Sequence, residues 1–295
     1  MDVVAKRLTA VGIDSARLDA RLLAAHALDW DAGQAVARPD HILTPDQART
    51  LEELVVRREA REPMSIILGS VEFWSLDFTV TPDVLAPRPD SETLVEAVLA
   101  HVGDKASALS MVDFGTGSGC LLLALLSELP NARGVGVDIS DAALKVAQGN
   151  AQTLDLENRA RFQVSDWDGQ VDGRFDLVIS NPPYIAGPEF LTLAPEVAQY
   201  EPRLALAGGL DGLDCYRALA SVLQRRLAPE GCAFLEIGAD QAETVSDVLV
   251  TAGVVGKPSI RIWPGIRGLL RRHWGMVDRS KKLKFCARKR LEFQS

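Results

Sequence analysis

Arg174-Phe175-Asp176-Leu177-Val178-Ile179 runs directly into Ser180-Asn181-Pro182-Pro183-Tyr184. Phe175, Leu177 and Ile179 alternate, and the run is apolar and β-branched enough to predict a buried strand. Two successive prolines lack the N–H that a strand ladder requires, so the strand has to stop at Asn181. The chain must therefore fold so that a buried strand presents a polar side chain at its carboxyl end. In an open parallel sheet, that edge is where ligands bind.

The Asn181 amide offers one C=O acceptor and one NH2 donor. Beside it, the Pro182 carbonyl has no regular strand partner. Two neighbouring acceptors can grip both hydrogens of an incoming NH2 group, and Tyr184 supplies an aromatic wall for a flat one. An amide or aromatic NH2 is a poor nucleophile, because its lone pair is delocalised. Holding both hydrogens and favouring a pyramidal nitrogen turns that lone pair toward an electrophile, through orientation and preset dipoles without a strong base. The same residues also suit a plain proline turn. The tetrapeptide Asn181-Pro182-Pro183-Tyr184 resembles the Asn/Asp-Pro-Pro-Tyr signature of S-adenosylmethionine-dependent amino-methyltransferases.

Three earlier strand ends bear on the choice. Ala108 to Phe114 is apolar, Gly115-Thr116-Gly117-Ser118-Gly119 is a glycine-rich turn, and Cys120 to Leu129 predicts a helix. The spacing is Gly-x-Gly-x-Gly, not the Gly-x-Gly-x-x-Gly of dinucleotide folds, although NAD-like and phosphate-binding readings stay open on this turn alone. Ala132 to Asp138 is a second strand, with Asp138 nineteen positions after Gly119. An acid at that place can accept both hydroxyls of a ribose. Ala160 to Ser165 is a third strand ending in Asp166-Trp167, where the acid can face an adenine amino group and the indole can stack on the base. A turn-forming acid and a rim aromatic are the plainer alternatives. Gly231 to Ile237 is a fifth strand, between predicted helices over 211–227 and 241–252. Alternating strands and helices predict an α/β fold with a doubly wound, Rossmann-like sheet.

Upstream, residues 1–70 are predicted helical. Leu18, Leu22 and Ala25 share a face, Asp14 is a candidate cap, and Thr44-Pro45-Asp46-Gln47 is a capping box with proline at the first helical position. Residues 71–92 are the predicted connector, made of a β-hairpin that begins at Gly69 and runs to Val80 and of a stiff loop, Leu85 to Glu92, with Asp90 or Ser91 capping the next helix. Arg88 and Glu92 suit either a cleft wall or a surface ion pair. The remainder, 93–295, is the predicted catalytic domain.

At 295 residues, with 47% hydrophobic and 24% charged, the chain can bury the core of two domains. Its net charge of −8 argues against a large nucleic-acid footprint. Cys120, Cys215, Cys232 and Cys286 form no C-x-x-C pair, as expected of free thiols in a reducing compartment. The longest apolar run, Cys120 to Leu126, is too short for a bilayer. The expectation is a cytoplasmic monomer with no membrane association.

Taken with the strand ends, Ala16 to Leu23, Pro63 to Gly69, Pro87-Arg88-Pro89-Asp90-Ser91-Glu92, Glu201-Pro202-Arg203 and Gly208 to Gly212 give the chain a specific likeness. Over about residues 14 to 253 it resembles the HemK/PrmC family, protein-(glutamine-N5) methyltransferases acting on class 1 peptide chain release factors. The resemblance implies a methyltransferase using S-adenosylmethionine, with Gly115 to Gly119 along the methionine part, Asp138 on the ribose and Asp166-Trp167 beside the adenine. It implies that Asn181 and the Pro182 carbonyl hold the glutamine of a Gly-Gly-Gln loop, that Tyr184 packs against it, and that no metal takes part. The helical region would then recognise substrate.

Ile66 stands where the family usually has an aromatic. Residues 257–295 carry twelve Lys/Arg against Asp278 and Glu292. The family's closing strands around an Asp-x-x-Gly-x-x-Arg-like segment are not found there, and Arg261-Ile-Trp-Pro and Arg271-Arg-His-Trp do not alternate as core strands. The tail 256–295 is either a divergent end or a reading-frame scar. Two other functions stay open: methylation of adenine or cytosine amino groups in nucleic acid, and a nucleotide-dependent oxidoreductase or non-catalytic cofactor-binding module.

Overall fold

The computed structural model describes residues 1–38, 40–254, 259–264, 274–276 and 284–286. Helices α1 (Asp2–Ala10), α2 (Ala16–Ala27), α3 (Ala32–Ala37), α4 (Pro45–Glu59) and α5 (Met64–Leu68) come first. The capping box at α4 forms as expected: Thr44 Oγ1 accepts from the Gln47 N–H at 3.3 Å, and Gln47 Oε1 accepts from the Thr44 N–H at 3.0 Å. Asp31 and Gln34 start α3 in the same way. Asp14 does not cap α2; Ser15 holds that place and makes no side-chain cap bond.

The buried stripe of α2 also differs from expectation. Leu18 is 56% exposed, and the inner face is Ala16, Asp19, Ala20, Leu23, Ala24 and Ala25. The reason is Asp19, which accepts from Arg58 Nε at 2.8 Å inside the bundle. An acid on the inner face displaces the stripe that apolar spacing alone would choose. Arg58 and Arg61 both reach Glu196, at 3.1 and 2.8 Å, and the Tyr200 hydroxyl donates to the Ala60 carbonyl at 2.7 Å. Glu196 and Tyr200 lie on a short helix downstream of Asn181, Pro195–Tyr200. The helical region is thus tied to the segment that follows the proline turn.

Strands β1 (Ser70–Phe73) and β2 (Leu76–Thr79) form the expected antiparallel hairpin. Its two turn residues, Trp74 and Ser75, have φ of 56° and 57°, the left-handed pair that a tight hairpin turn needs. Glu92 Oε1 accepts from the Trp74 N–H at 2.8 Å. Phe73 and Phe78 are buried in one cluster with α6 (Glu92–Val102), which follows the proline loop, and α7 (Cys120–Glu128). Asn150, on α8 (Asp141–Thr153), accepts from the Thr79 N–H at 2.8 Å and donates to its carbonyl at 3.2 Å. The hairpin is therefore part of the sheet's own core. Neither Asp90 nor Ser91 caps α6 through its side chain; the Ser91 hydroxyl is used elsewhere.

The large sheet comprises β3 (Ser110–Phe114), β4 (Arg133–Asp138), β5 (Ala160–Val164), β6 (Phe175–Ser180), β7 (Leu227–Ile237), β8 (Ser259–Pro264), β9 (Trp274–Met276) and β10 (Lys284–Cys286). The order is β5-β4-β3-β6-β7-β8-β9-β10, parallel from β5 to β8 and antiparallel beyond. Met111, Leu177, Ile179 and Phe234 point to one face, under α6 and α7. Val112, Phe114, Val178 and Leu235 point to the other, under helices α9 (Asp214–Arg226) and α10 (Ala242–Thr251), as numbered without the short Pro195–Tyr200 turn of helix. Helices on both faces explain why β3, β6 and β7 carry apolar side chains toward both faces. No described helix is long and apolar enough to cross a membrane.

Ser259–Pro264 pairs with β7 despite its poor alternation. An unpaired strand edge offers backbone donors and acceptors to any extended segment, whatever its side chains. Beyond it, Trp274–Met276 and Lys284–Cys286 add two antiparallel strands, so closing strands stand where the side-chain pattern gave no sign of them. The other residues beyond Pro264, Arg271 and Arg272 included, lie outside the described residues.

Phe78 is 0% exposed, so Phe78→Ala should destabilise by about 3–5 kcal/mol, read as a lowered chemical-unfolding midpoint; a midpoint equal to the parent's would remove the hairpin from the core. Arg58→Ala strands the buried Asp19 carboxylate and should cost about 3–5 kcal/mol as well. Restoration of the midpoint by a second change, Asp19→Leu, checks that the loss comes from the orphaned charge.

Candidate functional site

The carboxyl ends of β3, β4, β5 and β6 open into one cavity of about 320 Å³. Phe114, Gly115 and Gly117 reach it from β3; Asp138, Ile139 and Ser140 from β4; Ser165, Asp166 and Trp167 from β5; Asn181 and Pro183 from β6. Two loops close it: Asp83 to Leu85 before the proline loop, and Pro202 to Ala207 after the short Pro195–Tyr200 helix. Seven residues expected from sequence thus share the cavity: Gly115, Gly117, Asp138, Asp166, Trp167, Asn181 and Pro183.

Thr116, Ser118, Gly119, Pro182 and Tyr184 are not among its lining residues. The Thr116 hydroxyl donates to Asp113 Oδ2 at 2.8 Å, and the Ser118 carbonyl accepts from Asn150 Nδ2 at 2.9 Å. At Gly119 a Cβ would meet Ala147 and Leu123 at 3.2 Å, so this glycine lets α7 pack on α8. Gly117 is different: its φ is 54°, and open space lies where a Cβ would stand. Tyr184 packs half-buried against the second core face, and its carbonyl accepts from Gln241 Nε2 at 3.1 Å.

Asp138 locks the glycine turn. Its Oδ2 accepts from the Gly117 N–H and its Oδ1 from the Ser140 N–H, both at 2.9 Å. Each oxygen keeps a further lone pair for a ligand hydroxyl. Asp113 is buried beneath the turn, and its Oδ1 has no hydrogen-bond partner among the described residues. Burial pushes the Asp113 carboxyl up to about 7, against the Thr116 hydroxyl bond and with Asp138 adding repulsion. Carboxylates, an indole and open glycine backbone make a donor and acceptor set suited to a ribonucleoside.

Asn181 belongs to a second buried network. Its Nδ2 donates to Ser91 Oγ at 3.3 Å, and the Ser91 hydroxyl donates to Glu236 Oε2 at 2.6 Å. The Glu236 carbonyl in turn accepts from the Tyr216 hydroxyl at 2.9 Å. Glu236 is 4% exposed. Arg88, open to a cleft wall or an ion pair, forms the ion pair, with Glu201 at 2.5 Å; Glu92, open to the same two roles, holds the hairpin turn. Burial pushes the Glu201 carboxyl up in spite of Arg88.

Sequence reasoning passed over Asp113, Ser91, Glu236 and the two closing loops. A signal existed for the acids: Glu236 is the sole charged residue in Cys232–Ile237, and Asp113 the sole one in Met111–Phe114. A lone acid in a buried strand is costly unless it is used. The loops carry no such signal, because they reach the cavity only through the fold.

Known proteins match most of the chain. A family model described as the PrmC N-terminal domain matches residues 2–69, and one described as the methyltransferase small domain matches residues 89–204. The release factor glutamine methyltransferase of Rhodospirillum rubrum is 47% identical over 254 residues, covering 86% of this chain and 78% of its own. The proteins of that name from Caulobacter vibrioides and Cereibacter sphaeroides are 45% and 44% identical, each over 84% of this chain and 86% and 87% of theirs. Identity of this depth over most of both partners, on a sheet whose strand ends converge on one cavity, makes this chain an enzyme of the release factor glutamine methyltransferase family.

Proposed function

We propose that this enzyme transfers a methyl group from S-adenosylmethionine to the side-chain amide nitrogen of the glutamine in the Gly-Gly-Gln loop of class 1 peptide chain release factors. The Asn181 amide carries the proposal. Its NH2 is engaged by Ser91, which leaves Oδ1 as an acceptor at the cavity. An acceptor there suits an incoming NH2 and does not suit a carboxylate. The names of the relatives supply the substrate class.

The cavity residues fit S-adenosylmethionine. The free lone pairs of Asp138 suit the two ribose hydroxyls, Asp166 an adenine amino group and Trp167 the base's flat face. The unpartnered Asp113 Oδ1 and the open backbone at Gly115 and Gly117 suit the polar methionine end. When bound, this cofactor supplies a methyl group on a cationic sulfur, open to displacement by an oriented nitrogen lone pair.

The chain's part is orientation. Asn181 Oδ1 and the Pro182 carbonyl accept the two amide hydrogens of the substrate, while Pro183 and Tyr184 border its side chain. Both acceptors are neutral, so they aim the lone pair and do not remove a proton beforehand; the surplus proton of the methylated amide passes to solvent once the thioether has left. The helices of residues 1–70 are assigned to gripping the release factor. Their bonds to Glu196 and Tyr200 hold them in register with the Asn181 turn.

Asp138→Ala should weaken S-adenosylmethionine binding by about 1.5–3 kcal/mol, the worth of hydrogen bonds to a charged acceptor. Because Asp138 also holds the Gly117 and Ser140 N–H groups, Asp138→Asn is the companion and should lose less. Calorimetric titration giving parental affinity in a folded Asp138→Ala protein would take Asp138 out of the cofactor site. Asn181→Ala should lower single-turnover methylation by about two to three orders of magnitude, or about 2.7–4 kcal/mol, with cofactor affinity within about twofold. The assay offers labelled S-adenosylmethionine with a release factor and, separately, with duplex DNA. Label appearing in the DNA and not in the release factor would overturn the proposed substrate.

A further inference from the structure

Asn181 can serve as an acceptor only while its amide is turned one way. An amide's oxygen and nitrogen ends have nearly the same shape, so packing alone distinguishes them poorly. A flipped Asn181 would aim two N–H donors at the NH2 it is proposed to hold. Something must bias the amide, and the described structure supplies a chain of bonds that does so.

Ser91 has one hydroxyl proton, and at 2.6 Å it is drawn to Glu236 Oε2. What remains on Ser91 Oγ is lone pairs. The group 3.3 Å away on Asn181 must therefore donate, which is the NH2 end. The direction of each bond follows from the last member: an ionised carboxylate cannot donate, so it takes the Ser91 proton, and Ser91 then takes an Asn181 proton. Ser91 and Glu236 are both buried, so water does not compete for these positions.

Resting on the reading of Asn181 given above, we infer that Glu236, acting through Ser91, is a positioning residue that keeps Asn181 Oδ1 turned toward the substrate amide. Glu236 does not touch the reacting atoms. It serves as the fixed negative end of a two-bond relay. This also accounts for the lone acid in the apolar stretch Cys232–Ile237, and for the Ser91 hydroxyl bonding Glu236 where it was expected to cap α6.

The relay has a pH limit. Burial pushes the Glu236 carboxyl up to about 7, against the Ser91 bond, the Asn181 amide and Arg88, with Asp90 adding to the rise. Its charge is also felt by the Cys120 thiol on α7 and by the Tyr216 hydroxyl on α9, which itself donates to the Glu236 main-chain carbonyl. Once protonated, Glu236 can donate to Ser91, which frees the Ser91 proton to turn on Asn181 Oδ1. Turnover should then fall as pH drops through about 7, the reverse of any demand for a protonated acid.

The test is a mutant cycle in the full-length enzyme, using methyl transfer from labelled S-adenosylmethionine to a purified release factor. Glu236→Gln and Ser91→Ala should each lower kcat roughly tenfold, with KM for the release factor and cofactor affinity within about twofold. In an Asn181→Ala background neither should lower kcat further, because the amide through which they act is gone. The acid limb of the kcat profile should flatten in Glu236→Gln. A folded Glu236→Gln enzyme with kcat within twofold of the parent would overturn the inference, as would an equal further loss in the Asn181→Ala background. If Glu236→Gln does not fold, Ser91→Ala is judged by the same two criteria. Parental kcat in Asn181→Ala itself would be a different failure, that of the proposed amide site.

Discussion

The parallel register of the central strands places the polar groups that the strand ends bring to the cavity. Phe114 pairs with Val137, Asp138 with Val164 and Asp113 with Ile179. Because β3, β4, β5 and β6 all run the same way, their carboxyl ends fall on one edge, and Gly115, Asp138, Ser165 and Asn181 follow within a residue or two of alignment. A slip of one residue in any of these ladders would turn its functional side chain into a core face. The apolar packing on both faces, by α6 and α7 on one side and α9 and α10 on the other, makes such a slip costly. Stability of the core and geometry of the site are in this sense one property.

Buried acids are the second common feature. Asp19, Asp113, Glu201 and Glu236 are all withdrawn from water. Each ionised carboxylate in such a place needs a partner or rises in pKa. Asp19 has Arg58 and Glu201 has Arg88. Asp113 and Glu236 have a hydroxyl as their main hydrogen-bond partner, Thr116 and Ser91, with no arginine among the described residues bonded to either, and both carboxyls are pushed up to about 7. The two arginine pairs hold segments together. The two hydroxyl-bonded acids sit under the glycine turn and the Asn181 turn, where a fixed negative end sets the direction of neighbouring donors. Arginine pairing stands with architecture here, and hydroxyl pairing with the site.

Much of the architecture is legible in the chain itself. The five central strands, the helices between them, the hairpin and the Thr44 capping box follow from alternation, glycine and proline placement, and capping chemistry, all of which act over a few residues. Failures occurred where a local cue had a distant competitor. The Leu18 stripe of α2 gives way to one containing Asp19, because Arg58 waits on α4. Ser91 is an ordinary cap candidate until Glu236, 145 positions on, claims its hydroxyl. The hairpin looks like a connector until Phe73 and Phe78 meet α6 and α7.

What the sequence determined by itself was the chemistry available at each strand end: a glycine turn, Asp138, Asp166-Trp167 and Asn181 before two prolines. These are consequences of side-chain type and of where a ladder must stop, and neither depends on distant residues. What only the tertiary structure decided was how those groups are held. Asp138 spends one lone pair of each oxygen on the Gly117 and Ser140 N–H groups, loops from residues 83–85 and 202–207 close the cavity, and Ser91 with Glu236 sets the sense of the Asn181 amide. Hydrogen-bond direction is settled by whichever partner cannot reverse its role, and that partner can lie anywhere in the chain that the fold brings near.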